Sequence, residues 1–230
     1  MRIALVTVGD EILSGDTINT NAAWLGQQLV EQGASVDRMT VVPDRVPDIA
    51  RVVNEYHAEY DAVIVTGGLG PTHDDVTMEA VAAAFGTDLA PDDAVLEWLT
   101  EEGGYAAADL APKTTYIPER ATMLRNPNGV APGCVIESVY VLPGVPNEMK
   151  GMFELVREEF GGKRYHVETV SAGEPESELL DRIEELQERF DVDVGSYPGE
   201  YVRLKIQSQD ETALEEAAEW IRARVDPPEE

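Results

Sequence analysis

The chain has 230 residues, of which 43% are hydrophobic, and it contains a single cysteine. It carries 45 acidic and 17 basic residues, a formal net charge of −28 at pH 7. This composition excludes an intrachain disulfide and a cysteine metal cluster, and it argues against binding to nucleic acid or to an anionic membrane, because both need clustered Lys and Arg.

The first third of the chain alternates apolar runs with helical patterns. Such continuous runs are typical of parallel strands covered on both faces, and their alternation with helices indicates an α/β protein with a doubly wound, mostly parallel sheet. Asn19, Thr20 or Asn21 is expected to cap the first helix, and Gly33 to end it. Strands are predicted at Arg2 to Val8, Ala34 to Val42 and Asp61 to Thr66, with a second helix at Pro47 to His57.

The next part of the chain continues the same pattern up to about residue 160. A loop rich in Gly, Ala and Pro is expected after the helix predicted at Asp92 to Glu102, before Gly129. Helices are predicted at Thr77 to Phe85, Asp92 to Glu102 and Pro146 to Phe160, and a strand pair at Cys134 to Glu137 and Val139 to Leu142.

A second, smaller domain follows a linker at Gly161 to Lys163. We predict one domain at residues 1–162, a small α+β domain at 163–226, and a frayed tail at 227–230 that is too polar to pack. The second domain is predicted to run strand, helix, strand, strand, helix, at Tyr165 to Ser171, Glu176 to Phe190, Val192 to Ser196, Tyr201 to Ser208 and Glu211 to Val225.

The apolar segments also indicate the cellular compartment of the protein. No run approaches the roughly 20 apolar residues that span a bilayer, and the amino-terminal run leads into Gly9 without a cleavage site. Cys134 lies in an apolar stretch and is expected to be a small buried hydrophobe without chemistry. A cytoplasmic protein without membrane insertion is therefore expected.

The segment from Thr66 to Thr77, sequence TGGLGPTHDDVT, follows a strand and opens a helix. Its glycines let backbone amides turn toward an anion, and the helix start adds a positive dipole end. A tight turn without a ligand would explain the glycines alone, but the polar tip favours a phosphate site. The spacing matches neither the Walker A loop nor GxGxxG. Gly68→Val should then remove ligand binding with little loss of fold. The predicted ligand-binding residues are Thr66, Gly67, Gly68, Gly70, Pro71 and Thr72, and Asp74 and Asp75 are the catalytic candidates.

A second polar segment follows the first strand, with sequences GDEILSG from Gly9 and NTN from Asn19. Ligands of open α/β sheets bind at the carboxyl ends of strands, so this segment and the glycine loop should border one crevice. Taken alone, Asp10 would be a loop residue and Asn19 or Asn21 a helix cap. Gly9, Glu11, Asn19 and Asn21 are predicted to bind ligand, and Asp10 is a further catalytic candidate.

A third segment combines APG at Ala131 to Gly133 with LPGVPNEM at Leu142 to Met149. Paired Pro and Gly after a strand give rigid turns. Glu148 would lie in the first turn of a helix, where the dipole alone favours a carboxylate, so capping and ligand roles remain open for it. The ligand-binding candidates here are Gly133, Pro143, Gly144, Pro146 and Glu148.

These motifs, in this order and at these separations, resemble the amino-terminal domain of the competence/damage-inducible protein A (CinA) family, which is similar to molybdopterin adenylyltransferases and molybdotransferases. The resemblance implies the molybdopterin-binding fold and a homo-oligomer. The second domain resembles the KH-like middle domain of that family, but it lacks a basic GxxG loop, so RNA binding is not carried over. Many members add a carboxy-terminal nicotinamide-nucleotide deamidase domain, an activity that we expect to be absent here.

The resemblance also implies metal-dependent hydrolysis of a diphosphate bond in an ADP-ribose-like nucleotide. Asp75 matches a catalytic or metal-binding aspartate of the adenylyltransferases, and Asp10 matches an acidic position of the other loop. Carboxylates repel a diphosphate, and Lys150 is the basic residue close to the motifs. Mg²⁺, Mn²⁺ or Co²⁺ is therefore expected, held by some of Asp10, Glu11, Asp74 and Asp75.

A different class of function stays open beside hydrolysis. The chain would then bind molybdopterin, or a related pterin phosphate, without turning it over. Adenylylation of molybdopterin is an intermediate option. Release of AMP from ADP-ribose separates the hydrolase from the binding protein.

The spread of acidic residues along the whole chain suggests a halophilic, haloarchaeal source. We predict that the unfolding midpoint rises as KCl increases toward molar concentrations, because the Debye length falls to about 3 Å and the repulsion between carboxylates is screened. Thermal unfolding from low to molar KCl measures this, and a midpoint that stays level would contradict halophilic adaptation.

Overall fold

The computed structural model describes residues 1–110, 113–162 and 165–228. The chain divides into two units, Met1–Gly162 and Lys163–Glu230. The predicted linker lies at this division, although Lys163 itself is outside the described residues. Each unit has a sheet of its own, and no described helix is long and apolar enough to cross a membrane.

A six-stranded sheet forms the centre of the first unit. Its strands are β1 (Arg2–Val8), β2 (Ser35–Val42), β3 (Ala62–Thr66), β6 (Thr122–Leu124), β7 (Gly133–Ile136) and β8 (Val139–Leu142), and β4 (Leu89–Pro91) and β5 (Tyr116–Pro118) pair separately. The order is β2-β1-β3-β8-β7-β6. The first four strands are parallel, β7 runs antiparallel to β8, and β6 runs antiparallel to β7. The predicted α/β class with a mostly parallel sheet is confirmed.

Helices cover both faces of this sheet. They are α1 (Asp10–Leu13), α2 (Thr20–Glu31), α3 (Val46–Glu59), α4 (Thr77–Ala84), α5 (Asp93–Glu97) and α6 (Pro146–Val156). Apolar residues of α2 and α6 pack on one face, and those of α3 and α4 on the other. This arrangement follows from the apolar runs of β1, β3 and β8, which are buried along almost their full length because side chains on both faces need cover.

Local sequence signals set the helix ends. The side chain of Asn19 accepts a hydrogen bond from the amide of Ala22 at 3.1 Å and caps α2. Gly33 follows that helix with φ 82°, a left-handed conformation that glycine adopts without strain. Asp92 caps α5 in the same manner, through the amide of Val95 at 2.9 Å. Helix α2, the first helix that the sequence predicted, therefore begins and ends where the capping residues indicate.

The sequence pattern did not predict the shortest strands. The glycine- and alanine-rich stretch predicted as a loop contains β5 and β6, and β4 precedes it. Each of these strands has three residues, which is too short to show a period of two. The helix predicted at Asp92 to Glu102 is α only to Glu97 and continues as a π-helical turn, Trp98–Glu102.

The second unit is a three-stranded antiparallel sheet with two helices. Its elements in chain order are β9 (His166–Ala172), α7 (Glu176–Arg189), β10 (Asp193–Tyr197), β11 (Val202–Ser208) and α8 (Glu211–Arg222), with strand order β10-β11-β9. The order of strands and helices is the one predicted. Its core contains Leu179, Leu204 and Trp220.

The chain end of the second unit is attached to the start of α7. The amide of Gly173 donates to the carbonyl of Asp226, and the amide of Asp226 donates to the Glu174 carboxylate, each at 2.8 Å. The carbonyl of Pro227 also lies against Gly173, so the part of the predicted tail nearest α8 has defined neighbours. Glu229 and Glu230 lie outside the described residues.

Cys134 provides a test of the packing of the central sheet. Its side chain on β7 is fully buried, and this burial raises the pKa of the thiol to about 12. We predict that a thiol reagent at pH 8 modifies the native protein at least 10³-fold more slowly than the unfolded protein, because the thiolate fraction falls about tenfold for each pKa unit. The chain with Cys134→Ser serves as the blank, and labelling of the native protein at the rate of a free thiol would contradict the buried position.

Candidate functional site

A cleft of about 1050 Å³ opens at the carboxyl ends of β1, β3 and β8. These three strands are parallel neighbours in the sheet, so the loops that follow them leave the sheet at one edge. Parallel topology therefore brings together segments that are far apart in sequence, as it does in other open α/β sheets.

The three loops meet at Gly67. Its backbone has φ 101°, and a Cβ built on it would lie 2.2 Å from the carbonyl oxygen of Val8. The Gly67 amide donates to the carbonyl of Leu142 at 3.1 Å, and a Cβ on Gly144 would come within 3.3 Å of the Gly67 α-carbon. No side chain fits at this junction, so glycine is required for the loops to approach one another.

Gly68 is constrained by the helix that follows the loop. It has φ 64°, and a Cβ would lie 2.3 Å from the hydroxyl oxygen of Thr77, which is fully buried. The expectation that Gly68→Val leaves the fold almost intact is therefore wrong, because valine would be strained and would displace Thr77. The Thr77 hydroxyl has no hydrogen-bond partner among the described residues.

Asp75 holds the tip of the glycine loop. Its Oδ2 accepts a hydrogen bond from the amide of Thr72 at 2.9 Å and a second one from the Thr72 hydroxyl. A Cβ on Gly70 would meet the same carboxylate at 2.6 Å, so the loop closes tightly around it. Both of these hydrogen bonds reach Oδ2, and Oδ1 accepts none from the described residues.

The two asparagines of the NTN segment connect neighbouring loops. The side-chain amide of Asn19 donates to the hydroxyl of Thr7 at 3.0 Å, in addition to its capping role. That of Asn21 donates to the carbonyl of Gly144 at 2.7 Å, while its carbonyl oxygen is buried without a partner in the described part of the chain. Asn21 thus links the first polar segment to the third.

Glu148 borders the cleft at the start of α6. Its carboxylate accepts a hydrogen bond from the side-chain amide of Asn126 at 2.7 Å, and Asn126 also donates to the carbonyl of Ala131 at 2.9 Å. Buried Asn126, which sequence reasoning missed, therefore fixes both the carboxylate and the loop before β7.

The structure brings most of the predicted site residues to this cleft. Asp10 and Gly133 are the exceptions among them. Asp10 is exposed at the start of α1, and Gly133 is buried in β7, where a Cβ would lie 2.2 Å from the carbonyl oxygen of Val141, so its role is in packing. The predicted residues that line the cleft are Gly9, Glu11, Asn19, Asn21, Thr66, Gly67, Gly68, Gly70, Pro71, Thr72, Asp74, Asp75, Pro143, Gly144, Pro146 and Glu148.

Asp44 is a site residue that sequence reasoning missed, because it follows β2 as an isolated acid in a short loop. Its Oδ2 accepts a hydrogen bond from the amide of Asp10 at 2.8 Å. Burial raises the pKa of Asp44, and the charges of Asp10, Glu11 and Asp74 raise it further, against the opposing effect of the Asp10 amide. This corner of the cleft therefore has a negative field.

Carboxylates dominate the charged lining of the cleft. No three His, Cys, Asp or Glu side chains in the described ranges come together closely enough to hold a metal ion. Asp10, Glu11, Asp74 and Asp75 thus do not form a closed set of ligands by themselves. Seven carboxylates line the cleft, from Glu11, Asp44, Asp74, Asp75, Glu79, Asp109 and Glu148.

Comparison with protein families separates the two units of the chain. Residues 4–160 match the family described as "Probable molybdopterin binding domain". Residues 164–228 match the family described as "FAD synthase, middle domain". The family match of the first unit includes every loop that borders the cleft.

Individual proteins resemble the chain over different lengths. A protein of Archaeoglobus fulgidus is 39% identical and covers 94% of this chain and 95% of its own length. A CinA-like protein of Akkermansia muciniphila is 44% identical over 67% of this chain, which is 39% of its own length. The crystal structure of the protein CinA from Thermoplasma acidophilum, with unknown function, superposes with a TM-score of 0.64 at 38% identity, covering 69% of this chain and 97% of that one.

The loop junction makes a prediction about stability. Gly67→Ala should destabilise the fold by about 3 kcal/mol or more, because the methyl group would collide with the Val8 carbonyl in addition to the strain of a positive φ. Gly15→Ala is the matched control. Gly15 has φ 81° with nothing within 4 Å of a built Cβ, so its cost should be roughly 1 kcal/mol from the backbone conformation alone.

Chemical denaturation at constant salt measures both substitutions. Equal losses for Gly67→Ala and Gly15→Ala would mean that the junction is not close-packed.

Proposed function

The chain belongs to the family described as "Probable molybdopterin binding domain", and from this membership we propose that it binds a phosphate-bearing nucleotide in the cleft and hydrolyses its diphosphate bond. An ADP-ribose-like nucleotide is the proposed substrate, and a divalent cation the proposed cofactor. The observation that carries the proposal is the glycine loop at Gly67 and Gly68, where the backbone at the cleft has no side chains.

The glycine loop suits a phosphate group. Both glycines have positive φ, and the loop leads directly into α4, whose amino-terminal end adds a positive dipole. The cleft volume of about 1050 Å³ is at the upper end for small-molecule sites, which accommodates a nucleotide with a second sugar.

The carboxylates near the loop fit a divalent cation with oxygen ligands. The raised pKa of Asp44 reflects burial and uncompensated negative charge from its neighbours, which a cation would offset. Mg²⁺ commonly uses one or two carboxylates together with substrate phosphates and water, so a closed set of protein ligands is not required. One or two of the cleft residues Glu11, Asp44, Asp74 and Asp75 would hold it. Once bound, such an ion neutralises phosphate charge and lowers the pKa of a water molecule.

The residues of the chain bind and orient the substrate in this proposal. The loop at Gly67 and Gly68 fixes the diphosphate, and the hydrogen bonds from Thr72 to Asp75 keep that loop closed. Water attacks one phosphorus atom, the bond from that phosphorus to the bridging oxygen breaks, and AMP and ribose 5-phosphate leave. Positioning of the two reactants is the main contribution that a rigid loop makes.

The second unit supports a nucleotide with a diphosphate. It matches the middle domain of FAD synthase, and FAD contains an AMP joined to its second half through a diphosphate. FAD therefore belongs beside ADP-ribose in any panel of substrates.

A second candidate function is binding of a pterin phosphate without turnover. The description of the family that matches residues 4–160 favours it. Adenylylation of such a pterin would use the same cleft, because it also places a nucleotide phosphate beside a bound anion. Native mass spectrometry of the purified protein would reveal a retained pterin.

We predict that the purified protein releases AMP from ADP-ribose in the presence of Mg²⁺, Mn²⁺ or Co²⁺, and that EDTA abolishes the reaction. Asp75→Asn should lower the turnover number about 10²-fold or more, because it removes a charge next to the proposed cation. The amide oxygen of Asn can still accept the hydrogen bonds from Thr72, so the loop should keep its shape. Affinity for ADP-ribose without metal should be unchanged or higher, because a repulsive charge is lost.

Asp181→Asn, at an exposed position on α7, removes the same charge elsewhere and should leave the turnover number unchanged. Liquid chromatography of AMP and calorimetry with and without EDTA provide the measurements. Full activity of Asp75→Asn would refute its metal role. Absence of AMP release together with a retained pterin would favour pterin binding without turnover over the proposed hydrolysis.

A further inference from the structure

Lys113 is exceptional in the lining of the cleft. Seven carboxylates line it, and Lys113 is the one Lys or Arg that does so within residues 1–110, 113–162 and 165–228. Lys150, the basic residue that its position in the sequence favours, does not line the cleft. Its ammonium group lies 5.2 Å from the centre of the Trp24 ring.

The backbone of Lys113 is held in a conformation that lysine rarely adopts. Its φ is 67°, in the left-handed region that glycine adopts without strain. The carbonyl of Lys113 accepts a hydrogen bond from the amide of Tyr116 at 2.9 Å, and the neighbouring carbonyl of Thr115 accepts one from Asp92, also at 2.9 Å. Tyr116 then enters β5, which pairs with β4. These hydrogen bonds hold the backbone in that conformation. Glycine would suit such a backbone better, so the presence of lysine at this position must be explained by its side chain.

The ammonium group of Lys113 forms no ion pair with a carboxylate in the described part of the chain, although the protein is strongly acidic. An anion from outside the protein is the partner that this arrangement lacks. Apart from Lys113, the cleft offers a diphosphate backbone dipoles, the His73 imidazole and a bound cation to offset the carboxylates around it.

We infer that Lys113 is the phosphate-binding cation of the cleft, whose ammonium group contacts the oxygens of a bound diphosphate. The inference takes its ligand class from the proposed function. Lysine acts here as a point charge, so it strengthens binding of the phosphates without needing a fixed planar geometry. An arginine should replace it with little loss, and an uncharged side chain of the same length should not.

The test uses the 230-residue chain at constant ionic strength with EDTA and measures binding of inorganic pyrophosphate by calorimetry. Lys113→Met should weaken pyrophosphate binding at least tenfold, and Lys113→Arg should keep the affinity within about threefold of wild type, because only the first removes the charge. Lys113→Gly relieves the positive φ and removes the charge. It should bind pyrophosphate as poorly as Lys113→Met while its melting temperature equals or exceeds that of wild type.

Lys150→Met is the matched control, because it changes the net charge by the same amount away from the cleft, and its affinity should equal that of wild type. Unchanged pyrophosphate binding in Lys113→Met and Lys113→Gly would overturn the inference, as would a wild-type protein that does not bind pyrophosphate. The AMP-release assay separates this result from the proposed function. If the wild-type protein releases no AMP and Lys113→Met still weakens pyrophosphate binding, the proposed hydrolysis is wrong and the Lys113 phosphate site is supported.

Discussion

The close approach of three backbones at Gly67 is the constraint on which the rest of the site depends. The loops after β1, β3 and β8 can converge only because the residue between the Val8 carbonyl and Gly144 has no side chain. Parallel pairing of these strands directs the loops to one edge, and the glycine lets them touch. The cleft is thus a consequence of sheet topology together with one small residue, and the polar side chains are placed by that framework.

The second defining property of the cleft is the negative charge of its lining. An acidic lining repels an anionic ligand, so the proposed binding of a phosphate at the glycine loop requires positive charge from elsewhere. Backbone dipoles, Lys113 and a divalent cation can each supply part of it. The raised pKa of Asp44 is the local sign of this imbalance, since burial and its acidic neighbours both disfavour its charged form.

The fold alone does not decide between turnover and simple binding. One molybdopterin-binding fold can present the same glycine loop to a nucleotide that is cleaved or to a pterin that is held. The difference must lie in a few carboxylates and in whether water reaches the phosphorus. Asp75 is one of these carboxylates: its Oδ2 closes the loop through Thr72, and we propose that its Oδ1 takes part in the chemistry.

Sequence pattern alone predicts the class of the fold, the long strands and helices, and the segments that border the site, because apolar runs, caps and glycine turns are local signals that act over a few residues. It could not give the three-residue strands, which are too short to show a period, nor the packing role of Gly133, nor the strain that valine would cause at Gly68 against Thr77. Asp44 and Lys113 also escaped it, since each stands alone in a segment without a motif. Only the tertiary structure placed them in the cleft, because nearness in space between residues far apart in the chain is set by strand order and loop path, which local sequence does not encode.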